Sequence, residues 1–563
     1  MDRSRDLDML PRQLGKGGAS VVSDLLPPTR RQVVAGVSSI GALAVAGTPV
    51  GRADAQVRPI NIGIAFSDIP RLWGGPEGGF QGVRVAGYPI YDALINWDLS
   101  SADRPSVLIP GLAESWSVDA SEKTRWIVKL RRGVKFHDGS EFDAEAAVWN
   151  FSSVLDKNAP QYYAPRAALI GFRLPSVKRA EKIDRYTIAV FTDGTDAMTP
   201  YQLSFLLMVS PAQYAKLGGD WNRFAASPSG TGPFAVAGLV ARKRLDLTRN
   251  ESYWDTRRIP KSRAATLMPI LDANSRLAAL RSGQVDLAEN MPSEALASLR
   301  SAGFKVDTTI YPAILKWNFS YVQNSPLRDI RVRKAANLAI DREGLVQLLD
   351  GTVVAAKSYV DDSSPWFAEG SFKLAYDPIT AKSLLAAAGF GPNKPLKLTT
   401  LIASDGNGQM SLATNEFIQA NLAAVGINVE FKVVDFVTML TIARGGAKAP
   451  ASAGIDCMAI PGPVLDPTSF FLRGFHSALT PPKGSNWGFY SNPHVDAALE
   501  SAREAFEPAA LNSAIAAVNR LMVDDAASLL IAIEVTCWGL SSEVKNFVQA
   551  RNWFVDLTGV SLA

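Results

Sequence analysis

Pro110-Gly111-Leu112-Ala113-Glu114-Ser115-Trp116 and, further on, Leu130-Arg131-Arg132-Gly133-Val134-Lys135-Phe136-His137-Asp138-Gly139 bracket the stretch that decides how the chain is read. Within it, Trp126, Val128 and Leu130 alternate with Arg125, Ile127 and Lys129, the period-2 pattern of a strand with one buried face. Val134 and Phe136 continue the apolar pattern, and Asp138-Gly139 supplies a turn able to take positive φ. Asp143 is then placed to cap a helix whose Ala147, Phe151, Val154 and Leu155 share one face. Strand, turn and helix follow in order, and none of these residues carries chemistry.

Outward from this block, strand-like runs at 59–66, 245–248 and 396–402 alternate with helical patterns. Val495, Ala498, Leu499, Ala502 and Phe506 fit one helical face, and Leu511, Ile515, Val518 and Met522 fit the next. Asp377 before Pro378, and Gly389 after Ala388, bracket another helix. This mixture predicts an α/β protein. The 563 residues are too many for one ordinary core, so two or more domains are expected. Hydrophobic residues make up 47% and charged residues 20%, a globular balance that argues against disorder. Outside residues 1–55 the chain holds 51 Lys/Arg against 49 Asp/Glu, which gives no reason to expect nucleic acid as a partner. Cys457 and Cys537 lie in apolar runs and read as two buried free thiols rather than a disulfide scaffold.

Further short motifs flank the block in a fixed order. Tyr91-Asp92-Ala93-Leu94 precedes it; Gly230-Thr231-Gly232-Pro233-Phe234 and Arg249-Asn250-Glu251-Ser252-Tyr253-Trp254 follow. Then come Val332-Arg333-Lys334-Ala335, Ala339-Ile340-Asp341-Arg342, Tyr376-Asp377-Pro378 and Tyr490-Ser491-Asn492-Pro493. Together they resemble the family 5 solute-binding proteins of ABC importers, receptors for peptides, nickel chelates and some sugars. The resemblance implies a two-lobed periplasmic-binding-protein fold (type II, the large cluster with an extra subdomain), closing on a ligand between the lobes. By that likeness lobe I takes 56–100, 215–310 and 525–563, its subdomain 101–214, and lobe II 311–524.

Residues 1–55 read as a targeting segment. Arg30-Arg31 precede an uncharged, glycine-interrupted stretch from Val33 to Val50, and Ala53-Asp54-Ala55 offers a small-x-small cleavage site before Gln56. Paired arginines with a weak apolar core look like a twin-arginine export signal, implying a periplasmic mature protein. Eighteen uncharged residues interrupted by several glycines make a poor permanent membrane anchor.

Catalysis has no positive support. The chain lacks His-Glu-x-x-His, Gly-x-Ser-x-Gly, a phosphate loop and a dinucleotide fingerprint. Its three histidines, His137, His476 and His494, and two cysteines form no metal set by spacing, and no cofactor is expected.

A cleft receptor needs apolar surface and a few fixed polar groups. Tyr88 offers a ring with a polar tip, and Trp317 and Trp487 offer rings for stacking on a ligand or cation. The loop Ser404-Asp405-Gly406-Asn407-Gly408-Gln409 frees backbone amides at a helix start, suited to an anionic ligand group; Asp405 and Asn407 are its polar candidates. His476 lies in a region that the resembled family uses near its ligand. Asp466 is the only acid where peptide-binding relatives hold the peptide's ammonium; it either points into the cleft or caps the turn before Pro467.

The expectation is thus a non-enzymatic periplasmic receptor, a monomer. It captures a small molecule or short peptide and delivers it to the permease subunits of an ABC importer. The alternatives are a sensor partner for a chemoreceptor or sensor kinase, and a receptor for an opine, oligosaccharide or metal chelate.

Overall fold

The computed structural model describes residues 58–75, 82–322, 324–404 and 410–563. The targeting segment read at residues 1–55 lies outside them. Among the described residues a mixed sheet of twelve strands is the largest feature. Ile60–Ile64 runs parallel to Ala264–Pro269 on one side and to Leu287–Ala288 on the other. Its residues Ile60, Ile62 and Ile64 share one face and are buried, with Asn61 between them half-buried.

Two long strands carry this sheet across the molecule. Lys305–Phe319 pairs antiparallel with Ser528–Leu540, from Lys305 opposite Leu540 to Asn318 opposite Ser528. The register shifts between Ile310 and Ile314 and again between Leu315 and Lys316. Such bulges bend a strand pair, so the two strands turn where they pass from one half of the sheet to the other. Beyond the bend lie Cys457–Ala459, Leu396–Ala403 and Ile427–Val434, the last two parallel and in unbroken register.

A separate four-stranded antiparallel sheet contains the decisive block. Arg125–Leu130 pairs with Ala113–Val118 and with Thr187–Thr192, and Trp126, Val128 and Leu130 are buried as alternation predicts. Asp143 accepts bonds from the amides of Glu145 and Ala146, starting the helix Ala144–Leu155. That helix buries Ala147, Phe151 and Val154.

The scattered motifs meet in space. Asp92 is buried and accepts hydrogen bonds from Thr231 Oγ1 (3.0 Å), Tyr253 Oη (2.9 Å) and Trp254 Nε1 (2.9 Å). One carboxylate thus knots its own motif to two others that lie 139 or more residues further along the sequence. Desolvation raises its pKa, and these three donors act in the opposite direction, lowering it. A second knot forms at Asp525, which accepts from Arg333 Nη2 (2.5 Å) and Tyr490 Oη (2.7 Å). Cys457 and Cys537 are free and buried, and burial pushes both thiols up, Cys537 to about 12. Among the described residues no helix is long and apolar enough to cross a membrane.

Candidate ligand cleft

The bend of the long strands forms one wall of a cavity of about 520 Å³, to which Ile310, Pro312, Ala313 and Ile533 contribute. Aromatic rings contribute much of the rest: Trp97, Trp116, Trp126, Tyr201, Trp366 and Phe506 line it. Their rings are in edge and tilted contact, with centroids 5.8 Å apart for Trp97 and Tyr201, 6.0 Å for Tyr201 and Trp366, and 5.8 Å for Trp126 and Phe506. Rings at these distances and angles hold one another in place and present apolar faces.

Several of the polar groups in the lining are anchored. Trp366 Nε1 donates to Asn512 Oδ1 at 3.0 Å. Arg551 donates from Nε to the Ala102 carbonyl (2.9 Å) and from Nη1 to Ser363 Oγ (2.6 Å), with Asp361 at 3.8 Å. One guanidinium therefore ties the C-terminal segment to the 102 and 361–363 loops beside the cavity. Next to Ile310 on the long strand, Tyr311 lies under Arg84, which pairs with Glu289 at 3.3 Å.

None of the described residues singled out from sequence lines this cavity. Tyr88 is buried, stacked on Phe554 at 4.5 Å, and its hydroxyl accepts from the Trp97 amide (3.2 Å), so it supports a wall residue from behind. Trp317 is fully buried and donates from Nε1 to Asn415 Oδ1 (3.0 Å), filling the core behind the long strand. Trp487 packs with Leu401, Met439 and Met458 in another core. His476 Nδ1 accepts from the Ala478 amide (3.1 Å) and Nε2 lies 3.1 Å from Glu500 Oε1, which fixes the ring on the helix Pro493–Arg503. Asp466 is buried and its Oδ1 accepts from the Ser469 amide at 2.7 Å, the turn-capping geometry. Asp405 and Asn407 lie outside the described residues.

The cavity aromatics escaped the sequence reading because Trp116 and Trp126 are also strand residues of the scaffold. Trp366 did carry a signal: a large ring directly after Ser363-Ser364-Pro365, in a stretch with no apolar periodicity, has a reason other than an element's core. Among the described residues no group of three or more His, Cys, Asp or Glu could hold a metal ion.

Comparison with known proteins agrees with this architecture. The chain is 26% identical over 474 residues to the glutathione-binding protein GsiB of Shigella dysenteriae serotype 1, covering 82% of this chain and 87% of that protein. It is 25% identical over 481 residues to the dipeptide-binding protein of Escherichia coli K12, covering 82% and 86%. The crystal structure of the dipeptide-binding protein from Pseudoalteromonas sp. SM9913, in complex with Met-Leu, superposes with a TM-score of 0.74 at 19% identity. It covers 90% of this chain and all of that one. The sequence profile of one family, the bacterial extracellular solute-binding proteins, family 5, matches residues 107–461, more than half of the chain, and it is to that family that the chain belongs.

Proposed function

We propose that this solute-binding protein of an ABC importer captures a peptide-like small solute in the aromatic cavity, between two lobes, and presents it to the permease. The observation that carries the reading is the origin of the cavity walls. Trp97, Ile533 and Arg551 come from the stretches assigned to lobe I, Trp116, Trp126 and Tyr201 from its subdomain, and Trp366 and Phe506 from lobe II. A cavity so built exists only while these parts are together, which suits reversible capture by hinge motion at the bent strands. Its volume of about 520 Å³ falls in the range of small-molecule sites, and its rings suit apolar side chains. Relatives named for glutathione and dipeptides support a short peptide as the class. Residues 1–55 serve in this reading as a twin-arginine-type export signal, and the mature chain works in the periplasm as a monomer.

Native mass spectrometry of protein purified from its own periplasm, together with calorimetric titration of a di- and tripeptide panel, tests the proposal. A retained peptide mass, or micromolar binding weakened at least tenfold by Trp366→Ala, is the expected result. A retained sugar or chelate, or binding indifferent to Trp366→Ala in a folded variant, overturns it.

A further inference from the structure

The cavity walls hold more hydrogen-bond donors than the protein itself uses. Trp366 Nε1 is taken by Asn512, but Trp97 Nε1 and Trp126 Nε1 are buried with no hydrogen-bond partner among the described residues. Ser106 Oγ, in the same lining, is in the same position. A further wall hydroxyl, Tyr359 Oη, has the Ser528 side chain beside it. A hydroxyl can give or take, but an indole N–H can only donate, so an acceptor must come to Trp97 and Trp126. Both residues are 4% exposed, and buried donors in folded proteins are almost always satisfied.

Both indoles are set on strands rather than loops. Trp97 ends the strand Ile95–Trp97, opposite Leu108. Trp126 lies opposite Val118 on one side and Val190 on the other. Val118, and Trp116 two residues before it, also line the cavity, so this face of the four-stranded sheet borders it. The amide and carboxylate side chains of the lining do not supply the acceptors. Asn512 Oδ1 takes the Trp366 N–H, and Asn552 Oδ1 takes the Phe554 amide at 3.1 Å. Asp361 Oδ1 takes both the amide and the hydroxyl of Ser363, and Glu507 is exposed.

We infer that the solute brings acceptor oxygens, the amide carbonyls of a peptide, to Trp97 Nε1 and Trp126 Nε1. The two indoles then do more than offer ring faces: they fix where along the cavity the solute's carbonyls lie. A solute that offers only donors, such as a polyamine, leaves both N–H groups buried and unmatched, a cost that selects against it. The inference rests on the capture reading above and adds which atoms of the wall and of the solute meet.

Calorimetric titration with Met-Leu and trialanine as probes tests it. Benzothienylalanine keeps the bicyclic ring and carries sulfur where indole carries N–H. Placed at position 97 or at position 126, it should weaken the tighter probe by about fivefold in each case, the loss of one hydrogen bond in a folded protein of unchanged shape. Trp97→Phe and Trp126→Phe identify the two indole N–H resonances by their disappearance. In the wild-type protein both resonances should move downfield when the probe is added. Unchanged affinity in either benzothienylalanine protein, or an indole resonance at either position that stays in place on binding, overturns the inference and leaves capture itself intact. Failure of the capture reading looks different: neither probe then binds the wild-type protein, and this inference falls with it.

Discussion

His137 illustrates how much a single side chain in the scaffold decides. Its Nδ1 accepts from the Gly230 amide at 3.3 Å, so Nε2 carries the proton and donates to the Gly232 carbonyl at 2.9 Å. Burial holds its pKa below the ordinary value of 6.5. A base with a depressed pKa binds fewer protons folded than unfolded, so stability rises with pH across the gap between the two values. Its contribution is present above about pH 6.5 and lost as pH falls below it. Urea midpoints of the wild type should therefore drop between pH 7 and pH 5, whereas His137→Gln should start lower and show a flatter profile. Equal slopes for the two proteins would show that His137 does not set the dependence. Residues of this kind are legible in sequence: Asp143 and Asp377 sit as caps at the starts of Ala144–Leu155 and Pro378–Ala387 because a short acid before a helical pattern has one favourable place to bond. Tyr88, Trp317 and Trp487 were not separable in the same way. An aromatic ring with a polar tip serves a core or a cleft equally well, and only the position of its partners in space tells which.

At the level of elements, the Gly-Thr-Gly segment is a close approach between chains rather than a flexible turn. A Cβ on Gly230 would lie 2.2 Å from the Ile90 carbonyl oxygen, and one on Gly232 would lie 2.4 Å from the Ile90 carbonyl carbon. Main-chain atoms cannot rotate away as a side chain can. Gly232→Ala should cost at least about 1–3 kcal/mol in chemical denaturation, and should weaken the bonds of Gly232 to Asn250 and His137. A variant as stable as the wild type would mean that the Ile90 segment is free to shift. Helix periodicity was similarly readable, with one instructive limit. Val495, Leu499 and Ala502 are buried on the helix Pro493–Arg503, but Phe506, which continues their spacing, falls past the helix end. There it leaves the helical face and turns its ring toward Trp126. Spacing alone cannot register where a helix stops when the residues beyond it remain apolar.

For the whole molecule, closure over the bent strands predicts a change in size. The mature chain should scatter with a radius of gyration of about 23 Å when closed, and measurably more when the solute has been removed by denaturation and refolding. Small-angle scattering that shows no contraction on adding back a bound peptide would rule out hinge capture. The family and its α/β class were legible because motifs that bond to Asp92 and Asp525 must keep both their identity and their order. The cavity was not, because its walls are contributed by segments as distant as Trp97 and Arg551, with no local pattern to join them.

The placement of the strand Ser528–Leu540 has a consequence for biosynthesis. It lies between Lys305–Phe319 and Leu287–Ala288, and through the latter it reaches Ile60–Ile64. Ile60–Ile64 finds its first strand partner only when residue 264 and beyond have been made, and the sheet that contains it is joined across only by residues 528–540. At ribosomal rates of roughly 5–20 residues per second, the first strand leaves the ribosome roughly 20 to 90 seconds before the joining strand exists. Early in that interval Ile60–Ile64 stands without a strand partner, and once Lys305–Phe319 has been made its edge toward Ser528–Leu540 stands open. A chain truncated just before residue 528 would therefore hold the strands of both halves and lack the one strand that joins them.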